Sequence, residues 1–139
     1  MTVKLFAPAA YWQLSLAALA EIVNGCGPTG WKGDLIPDHL LWVKIADACD
    51  IHDYMYLVGR TEADREEADR VFLNNMLRLA EAFSANLFTR YARRKLALHY
   101  YSVVRDYGGP YFWTDKNPGE TFKNPEKVFG GGGLIFAEG

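Results

Sequence analysis

The segment from Asp47 to Tyr56 has an unusual density of groups that can do chemistry. Side chains three and four positions apart share one face of a helix. By that spacing, one face carries a thiol, an imidazole, a carboxylate and a phenol: Cys49, His52, Asp53 and Tyr56. A helix that serves only packing would place apolar groups at such positions. The pattern therefore indicates a functional site built on one helix face.

The acid that pairs with His52 is expected on the following helix. Gly59 and Arg60 form a very short turn, so the two helices should pack antiparallel, with residues equally far from the turn side by side. Asp69 is in that position, whereas the competing acid Asp64 lies in the first turn, where it can serve the helix end. A histidine bonded to a buried aspartate has a fixed tautomer and a second nitrogen that can act as a base. The alternative is a buried polar pair without a catalytic role.

A glycine-rich loop is predicted before this helix. Residues 25 to 39 hold two prolines and four glycines: Gly25, Gly27, Gly30 and Gly33. Such a loop can turn carbonyl oxygens inward, and a neighbouring carboxylate such as that of Asp53 would then help to hold a hard cation. An ordinary connection between two helices is the alternative interpretation.

The composition is that of one folded domain spanning residues 1–139, and the helix signals along the chain predict that it is mainly α. The chain of 139 residues is 50% hydrophobic and 14% aromatic, which is enough for one core. Its net charge of −2 gives no reason to expect binding to nucleic acid. Apolar periodicity and capping signals predict four helices. They cover residues 8–23, residues 40 or 42 to 57, a segment opening with a capping box at Thr61 and Asp64, and residues 88–105.

The C-terminal part is predicted to be less regular. The tyrosine, phenylalanine and tryptophan of residues 111–113 are expected to cover the core. A small hairpin is expected near the C-terminus, and the glycine run 130–133 is predicted to be flexible or a linker.

Three elements in this order resemble calcium-dependent phospholipase A2 of the secreted type and the lipase domain of parvovirus capsids. They are Cys-Gly-Pro at residues 26–28, Cys-x-x-His-Asp-x-x-Tyr at residues 49–56 and Ala-Asp-x-x-Phe at residues 68–72. This resemblance covers residues 24 to 76. The third helix and the stretch from Tyr100 to Gly108 look more like uncharacterised phage and prophage proteins, a resemblance that reaches residue 113.

The phospholipase resemblance implies a reaction, hydrolysis of the sn-2 ester of glycerophospholipids. His52 would be the general base that activates water, Asp69 would orient it, and Tyr56 would bond into the same network. The oxyanion would be stabilised by calcium and by the amide of Gly27.

The resemblance also implies a calcium site and one disulfide. Asp53 would bind the ion together with the backbone carbonyls of Gly25, Gly27 and Thr29. Thr29 stands where the family has a glycine, which predicts weak calcium binding. The chain's two cysteines, Cys26 and Cys49, fall where the family has a bridge that ties the loop to the catalytic helix.

The implied partner is a phospholipid membrane or micelle. Trp31, at the tip of the proposed loop, is the candidate contact, whereas Trp12 and Trp42 are predicted to be core. A basic cluster is interpreted as a solvated helix face: Arg90, Arg93, Arg94 and Lys95. No clear signal peptide is present, and a secreted or virion-associated setting is favoured over the cytosol, where calcium is too scarce for a weak site.

Two other interpretations compete with the hydrolase. A structural zinc site could use Cys26, His39, Cys49 and His52, although the first two spacings match no common zinc motif. Alternatively, the chain is a non-catalytic structural or interaction protein of a phage particle that retains the fold.

Overall fold

The computed structural model describes residues 2–22, 36–113 and 132–138, and this part is mainly helical, as predicted. Its elements follow in chain order: β1 (Thr2–Pro8), α1 (Ala9–Trp12), α2 (Leu16–Ile22), β2 (His39–Leu40), β3 (Val43–Lys44), α3 (Ala46–Val58), α4 (Glu62–Phe83), α5 (Leu87–Tyr107), α6 (Gly109–Phe112) and β4 (Gly132–Glu138). None of the helices in the described part is both long and apolar enough to cross a lipid bilayer.

The helices α3 and α4 form the predicted pair around a short turn. The capping box is confirmed, because the Thr61 hydroxyl accepts from the Asp64 amide at 3.0 Å and the Asp64 carboxylate accepts from the Thr61 amide at 3.1 Å. The same carboxylate accepts from the amide of Arg60 at 2.8 Å. These bonds satisfy backbone N–H groups that a helix start leaves without partners. Asp64 therefore serves the helix end, as expected.

The core lies where α3 and α4 pack with α5, and α6 covers one end of it. Phe112 on α6 is fully buried, as expected for the aromatic stretch. It sits over Gly59, where a Cβ atom would come within 2.7 Å of the phenyl ring. The backbone angles of Gly59 are accessible to any residue, so its conformation does not require glycine. Glycine is needed in this turn because any side chain would clash with Phe112.

The chain ends pair with each other, which contradicts two predictions. Residues 132–138 form an antiparallel ladder with residues 2–8, so Gly132 and Gly133 lie in a strand and not in a flexible run. The predicted helix over 8–23 is instead a strand ending at Pro8 followed by two short helices. The C-terminal strand pairs with the N-terminal strand, and a local hairpin within residues 114–131 would lie outside the described part of the chain.

The alternating burial of its residues and the side-chain amide of Asn75 explain why β1 forms. Val3 and Leu5 are buried while Lys4 between them is exposed, which is the two-residue period of a strand with one covered face. Asn75 of α4 is fully buried and bonds to both backbone groups of Phe6, accepting from its amide and donating to its carbonyl at 2.8 Å each. The asparagine side chain thereby extends the hydrogen bonding of the strand onto the helix.

The predicted start of the second helix is also wrong, because residues 39–44 form a two-stranded hairpin. Its turn residues Leu41 and Trp42 have φ angles of 42° and 71°, the left-handed values required by a type I′ turn. Trp42 is 89% exposed and is not part of the core, contrary to expectation. Trp12 is partly buried and packs against the core.

Arg93 holds this hairpin against the helices. It is buried, and its guanidinium donates to the carbonyls of Leu40 and Leu41 and to the carbonyl of Phe83 and the hydroxyl of Ser84. The assignment of Arg93 to a solvated basic face is therefore wrong. Its donors satisfy backbone acceptors at the end of α4 and at the hairpin turn, which offsets the strain of two non-glycine residues at positive φ.

Candidate functional site

A buried hydrogen-bond network joins α3 to α4 at the predicted position. The Nε2 atom of His52 lies 2.7 Å from Oδ1 of Asp69, and the Tyr56 hydroxyl donates to the same oxygen at 2.7 Å. His52 is fully buried, Asp69 is 1% exposed and Tyr56 is 5% exposed. The predicted contact between His52 and Asp69 is confirmed, while their catalytic role stays a prediction.

The geometry determines which imidazole nitrogen can act as a base. An ionised carboxylate only accepts hydrogen bonds, so a contact of 2.7 Å with Asp69 places the ring proton on Nε2. A neutral His52 then has its lone pair on Nδ1. That nitrogen is the one that can take a proton from a water or a substrate.

Aromatic packing fixes the plane of the imidazole. The Phe72 ring stacks on His52 with centroids 4.7 Å apart and an interplanar angle of 30°, and the Tyr56 ring lies 4.1 Å away on centroids. Phe112 packs edge-on against Tyr56 at 5.3 Å. A base whose rotamer is held by packing keeps its geometry without further ordering cost.

Arg65 is a member of this site that the sequence interpretation missed. It precedes Asp69 by one helical turn, so both side chains leave α4 on the same face. Its mostly buried guanidinium donates to Glu62 at 2.7 Å and to the carbonyl of Arg105. The positive charge of Arg65 thereby lies near the buried carboxylate of Asp69 and the hydroxyl of Tyr56. The spacing Arg-x-x-x-Asp is the signal that could have identified it.

Burial and charge together keep the Tyr56 hydroxyl protonated. Burial is the largest cause that raises the pKa of Tyr56 above the ordinary value of 10, and the charge of Asp69 and the hydrogen bond to it act in the same direction. Arg65 acts in the opposite direction but does not cancel this. Tyr56 is therefore a permanent hydrogen-bond donor to Asp69 at neutral pH.

This shift predicts a loss of stability in alkali. A tyrosine whose folded pKa is raised stabilises the fold fully below pH 10, the pKa of the unfolded side chain, and this contribution is lost as the pH rises toward the folded pKa. Each such group should lower the free energy of unfolding by about 1.4 kcal/mol for each pH unit above 10. Tyr11 and Tyr100 also have a raised pKa, chiefly through burial.

Urea unfolding between pH 9 and pH 11.5 measures this slope. Tyr56→Phe should be less stable than wild type at pH 8, because it loses a buried hydrogen bond, yet its stability should fall less steeply above pH 10. Identical slopes for the two proteins would show that Tyr56 ionises as readily in the folded as in the unfolded chain.

Gly108, between α5 and α6, leaves room for the Tyr56 hydroxyl. A Cβ atom at this position would lie 2.5 Å from that hydroxyl and even closer to the Val104 carbonyl oxygen. The backbone angles of Gly108, φ −78° and ψ −17°, suit any residue, so the requirement is purely steric.

Gly108→Ala should therefore destabilise the protein by about 1–3 kcal/mol through overpacking and displace Tyr56 from Asp69. Gly109→Ala is the matched control, since its Cβ would meet nothing closer than the Arg65 guanidinium at 3.7 Å. The control should lie within about 0.5 kcal/mol of wild type. Urea midpoints of the three proteins test this, and equal midpoints for both variants would contradict the assigned contact.

Asp53, the predicted metal ligand, lies partly exposed on α3. It follows Asp47 and Asp50 at intervals of three residues, so the three carboxylates share one side of the helix. All three act on Tyr11 of α1, where burial and then the charges of Asp50, Asp47 and Asp53 raise the pKa of the phenol. The Asp53 carboxylate thus belongs to a stripe of negative potential, which favours a nearby cation.

The other predicted loop residues fall outside the described ranges: Gly25, Cys26, Gly27, Thr29 and Trp31. Cys49 is fully buried on α3. The pairing of Cys26 with Cys49 stays a prediction.

The zinc interpretation finds no support among the described residues. His39 lies exposed on the hairpin, with Nδ1 2.6 Å from the Asp38 carboxylate, while His52 is engaged with Asp69 inside the core. Within residues 2–22, 36–113 and 132–138, no group of three histidine, cysteine or acidic side chains could hold a metal ion.

The chain matches no protein-family model, no curated protein and no solved structure. The resemblance to phospholipase A2 therefore depends on the motif residues and stays a prediction.

Proposed function

We propose that the protein is a calcium-dependent, phospholipase A2-like esterase that hydrolyses the sn-2 ester of glycerophospholipids. The observation that carries the proposal is the buried contact between His52 and Asp69, with Tyr56 on the same carboxylate oxygen. The contact joins two elements of the motif that are 17 positions apart in the sequence. It also leaves Nδ1 of His52 as the nitrogen for proton transfer.

In this mechanism, Nδ1 of His52 removes a proton from water as the water oxygen bonds to the ester carbonyl carbon. Asp69 stabilises the imidazolium that forms, and Tyr56 holds Asp69 in place. The imidazolium then returns the proton to the glycerol oxygen as the carbon–oxygen bond breaks. The products are a fatty acid and a lysophospholipid. Because the His52 ring is fully buried, the mechanism requires that water enter the site during turnover.

The chemistry of the donor set fits calcium. Calcium prefers carboxylate and carbonyl oxygens, and Asp53 supplies a carboxylate within an acidic stripe of α3. The remaining donors implied by the resemblance are the carbonyls of Gly25, Gly27 and Thr29, which lie outside the described residues. When bound, the ion would supply positive charge at the oxyanion, together with the amide of Gly27.

A second candidate function is a non-catalytic structural or interaction role in a phage particle. The complete burial of His52 favours it, since a polar pair enclosed between two helices can serve register and packing alone. A virion-associated or secreted setting agrees with both candidates, and a phospholipid surface is the partner that the first one requires.

Release of fatty acid from mixed micelles of phosphatidylcholine and detergent separates the two candidates. The esterase should release fatty acid in millimolar calcium and stop in excess chelator. The Asp53→Asn variant should require a calcium concentration at least about tenfold higher than wild type to reach half of its maximal rate, because the substitution removes a charged ligand. Glu66→Gln, an exposed acid on α4 outside the acidic stripe of α3, is the matched control and should behave as wild type. No release at any calcium concentration would favour the structural role.

A further inference from the structure

The outer face of α5 exposes large apolar side chains to solvent. Leu87 is 79% exposed, Phe88 80%, Tyr91 63% and Leu98 45%. They lie on the side of the helix opposite the buried residues Arg93, Ala97, Tyr100 and Val104. A helix that packs through one face normally presents polar groups on the other. Contiguous exposed apolar groups of this kind are typical of an interaction surface.

Cations lie among these apolar groups. A groove of about 460 Å³ runs along the face, lined by Leu87, Arg90, Tyr91, Arg94, Lys95 and Leu98. Arg90 pairs with Glu81 at 3.3 Å, whereas Arg94 and Lys95 make no ion pair within the described part of the chain. The Lys95 ammonium lies 5.6 Å from the centre of the Tyr91 ring, within the range of a cation–π contact.

Positive charge is concentrated on α5. The helix α5 contains five arginine or lysine residues and a single acid, Asp106, which is near its C-terminal end. The whole chain has a net charge of −2, so the other elements carry the excess of acids. An anionic occupant of the α5 face therefore gains from both apolar contact and charge.

A second copy of the chain is a poor occupant for this face. A two-fold interface through this face would bring together two identical faces that each carry Arg90, Arg94 and Lys95, so like charges would lie close to one another. A lipid bilayer with anionic headgroups can bind both kinds of side chain on this face. Leucine and phenylalanine insert at the boundary of the acyl chains, while the cations contact phosphate and carboxylate groups.

We infer that the outer face of α5 docks the protein on anionic phospholipid bilayers. The choice of lipid as the partner rests on the proposed hydrolysis of phospholipid, whereas the docking itself needs neither calcium nor turnover. Flotation of the full chain with vesicles in the presence of chelator measures the docking separately from the reaction.

Wild type should float with vesicles of phosphatidylcholine containing about 30% phosphatidylserine and bind at least about tenfold more weakly to phosphatidylcholine alone. Binding should fall when sodium chloride is raised from about 0.1 M to 0.5 M, because salt screens the cations. Arg94→Glu combined with Lys95→Glu should weaken binding to the anionic vesicles at least about tenfold. Leu87→Ser combined with Phe88→Ser should weaken binding even in low salt.

The matched control combines Lys44→Glu with Arg70→Glu, which changes the net charge by the same amount at exposed positions on β3 and α4 that do not line the groove. It should retain most of the binding. Equal losses in both charge-reversed variants, or no binding of wild type to anionic vesicles, would overturn the docking surface. So would self-association in sedimentation that the α5 substitutions abolish, or binding to polyanionic protein but not to vesicles.

The two proposals can fail separately. His52→Gln should float with anionic vesicles as wild type does. Vesicle binding without fatty-acid release would contradict the proposed esterase activity but support the docking surface. Release from micelles without vesicle binding would contradict the docking surface but support the esterase activity.

Discussion

His52→Gln should lower the rate of calcium-dependent fatty-acid release by about 10²–10⁴-fold. The substitution keeps a polar side chain of similar length but removes the nitrogen that, in the proposed mechanism, accepts the proton from water. The loss should appear in kcat more than in KM, because in the proposed mechanism the imidazole acts on the reacting water and does not bind the lipid. Initial rates on phosphatidylcholine micelles measure it.

The histidines of this chain offer a matched control. His99 lies exposed on α5, where it packs near Tyr100 with ring centroids 6.1 Å apart. His99→Gln should retain the wild-type rate. A circular-dichroism spectrum and a cooperative urea transition establish that His52→Gln is folded. A folded His52→Gln protein with wild-type activity would exclude His52 as the base.

Asp69→Asn should lower the rate by about 10–10³-fold and also lower stability. The asparagine removes the charge that would stabilise the imidazolium of the proposed mechanism. It also introduces an amide that competes with His52 for the position of the ring proton. It also weakens two buried bonds of 2.7 Å, so the free energy of unfolding should fall by about 1–3 kcal/mol. Rates and urea unfolding on the same preparation measure both effects.

A double variant distinguishes positioning from packing. If Asp69 acts on the reaction only through His52, combining both substitutions should cost no more in rate than His52→Gln alone. Asp64→Asn is the control on the same helix, since Asp64 caps α4 and makes no contact with the dyad. It should change stability by about 1 kcal/mol or less and leave the rate unchanged. Additive losses in the double variant would contradict a shared role.

The sequence predicted the dyad because its geometry is local. A two-residue turn and a capping box at Thr61 place α3 and α4 in register, and counting outward from the turn leads from His52 to Asp69. Both helices also have the periodicity that a buried face requires. The contact at the centre of the site thus follows from features within about 25 residues.

The features that could not be predicted depend on distant partners. The alternation of Val3, Lys4 and Leu5 fits a strand, but its partner β4 is at the other end of the chain. The hairpin around Leu41 and Trp42 lacks the glycine or asparagine that normally signals a type I′ turn. Its turn is held by Arg93 from α5, a residue that sequence alone places on the surface. In each case tertiary contacts overrode the local pattern.

The roles of Arg65 and Gly108 were missed for a related reason. Both act on Tyr56, and their closeness to it depends on how the end of α5 returns to the α3–α4 pair. Helical spacing identifies Arg65 as a neighbour of Asp69, but the carbonyl of Arg105 that holds its guanidinium is 40 positions away.

A phosphatidylcholine with different acyl chains at the two ester positions tests the central claim most directly. Incubated with the wild-type protein in saturating calcium, it should yield the sn-2 fatty acid and the 1-acyl lysophospholipid, and the reaction should stop when chelator is added. Release of the sn-1 acid, of both acids equally, or of neither acid would contradict the assignment of His52 and Asp69 to this reaction.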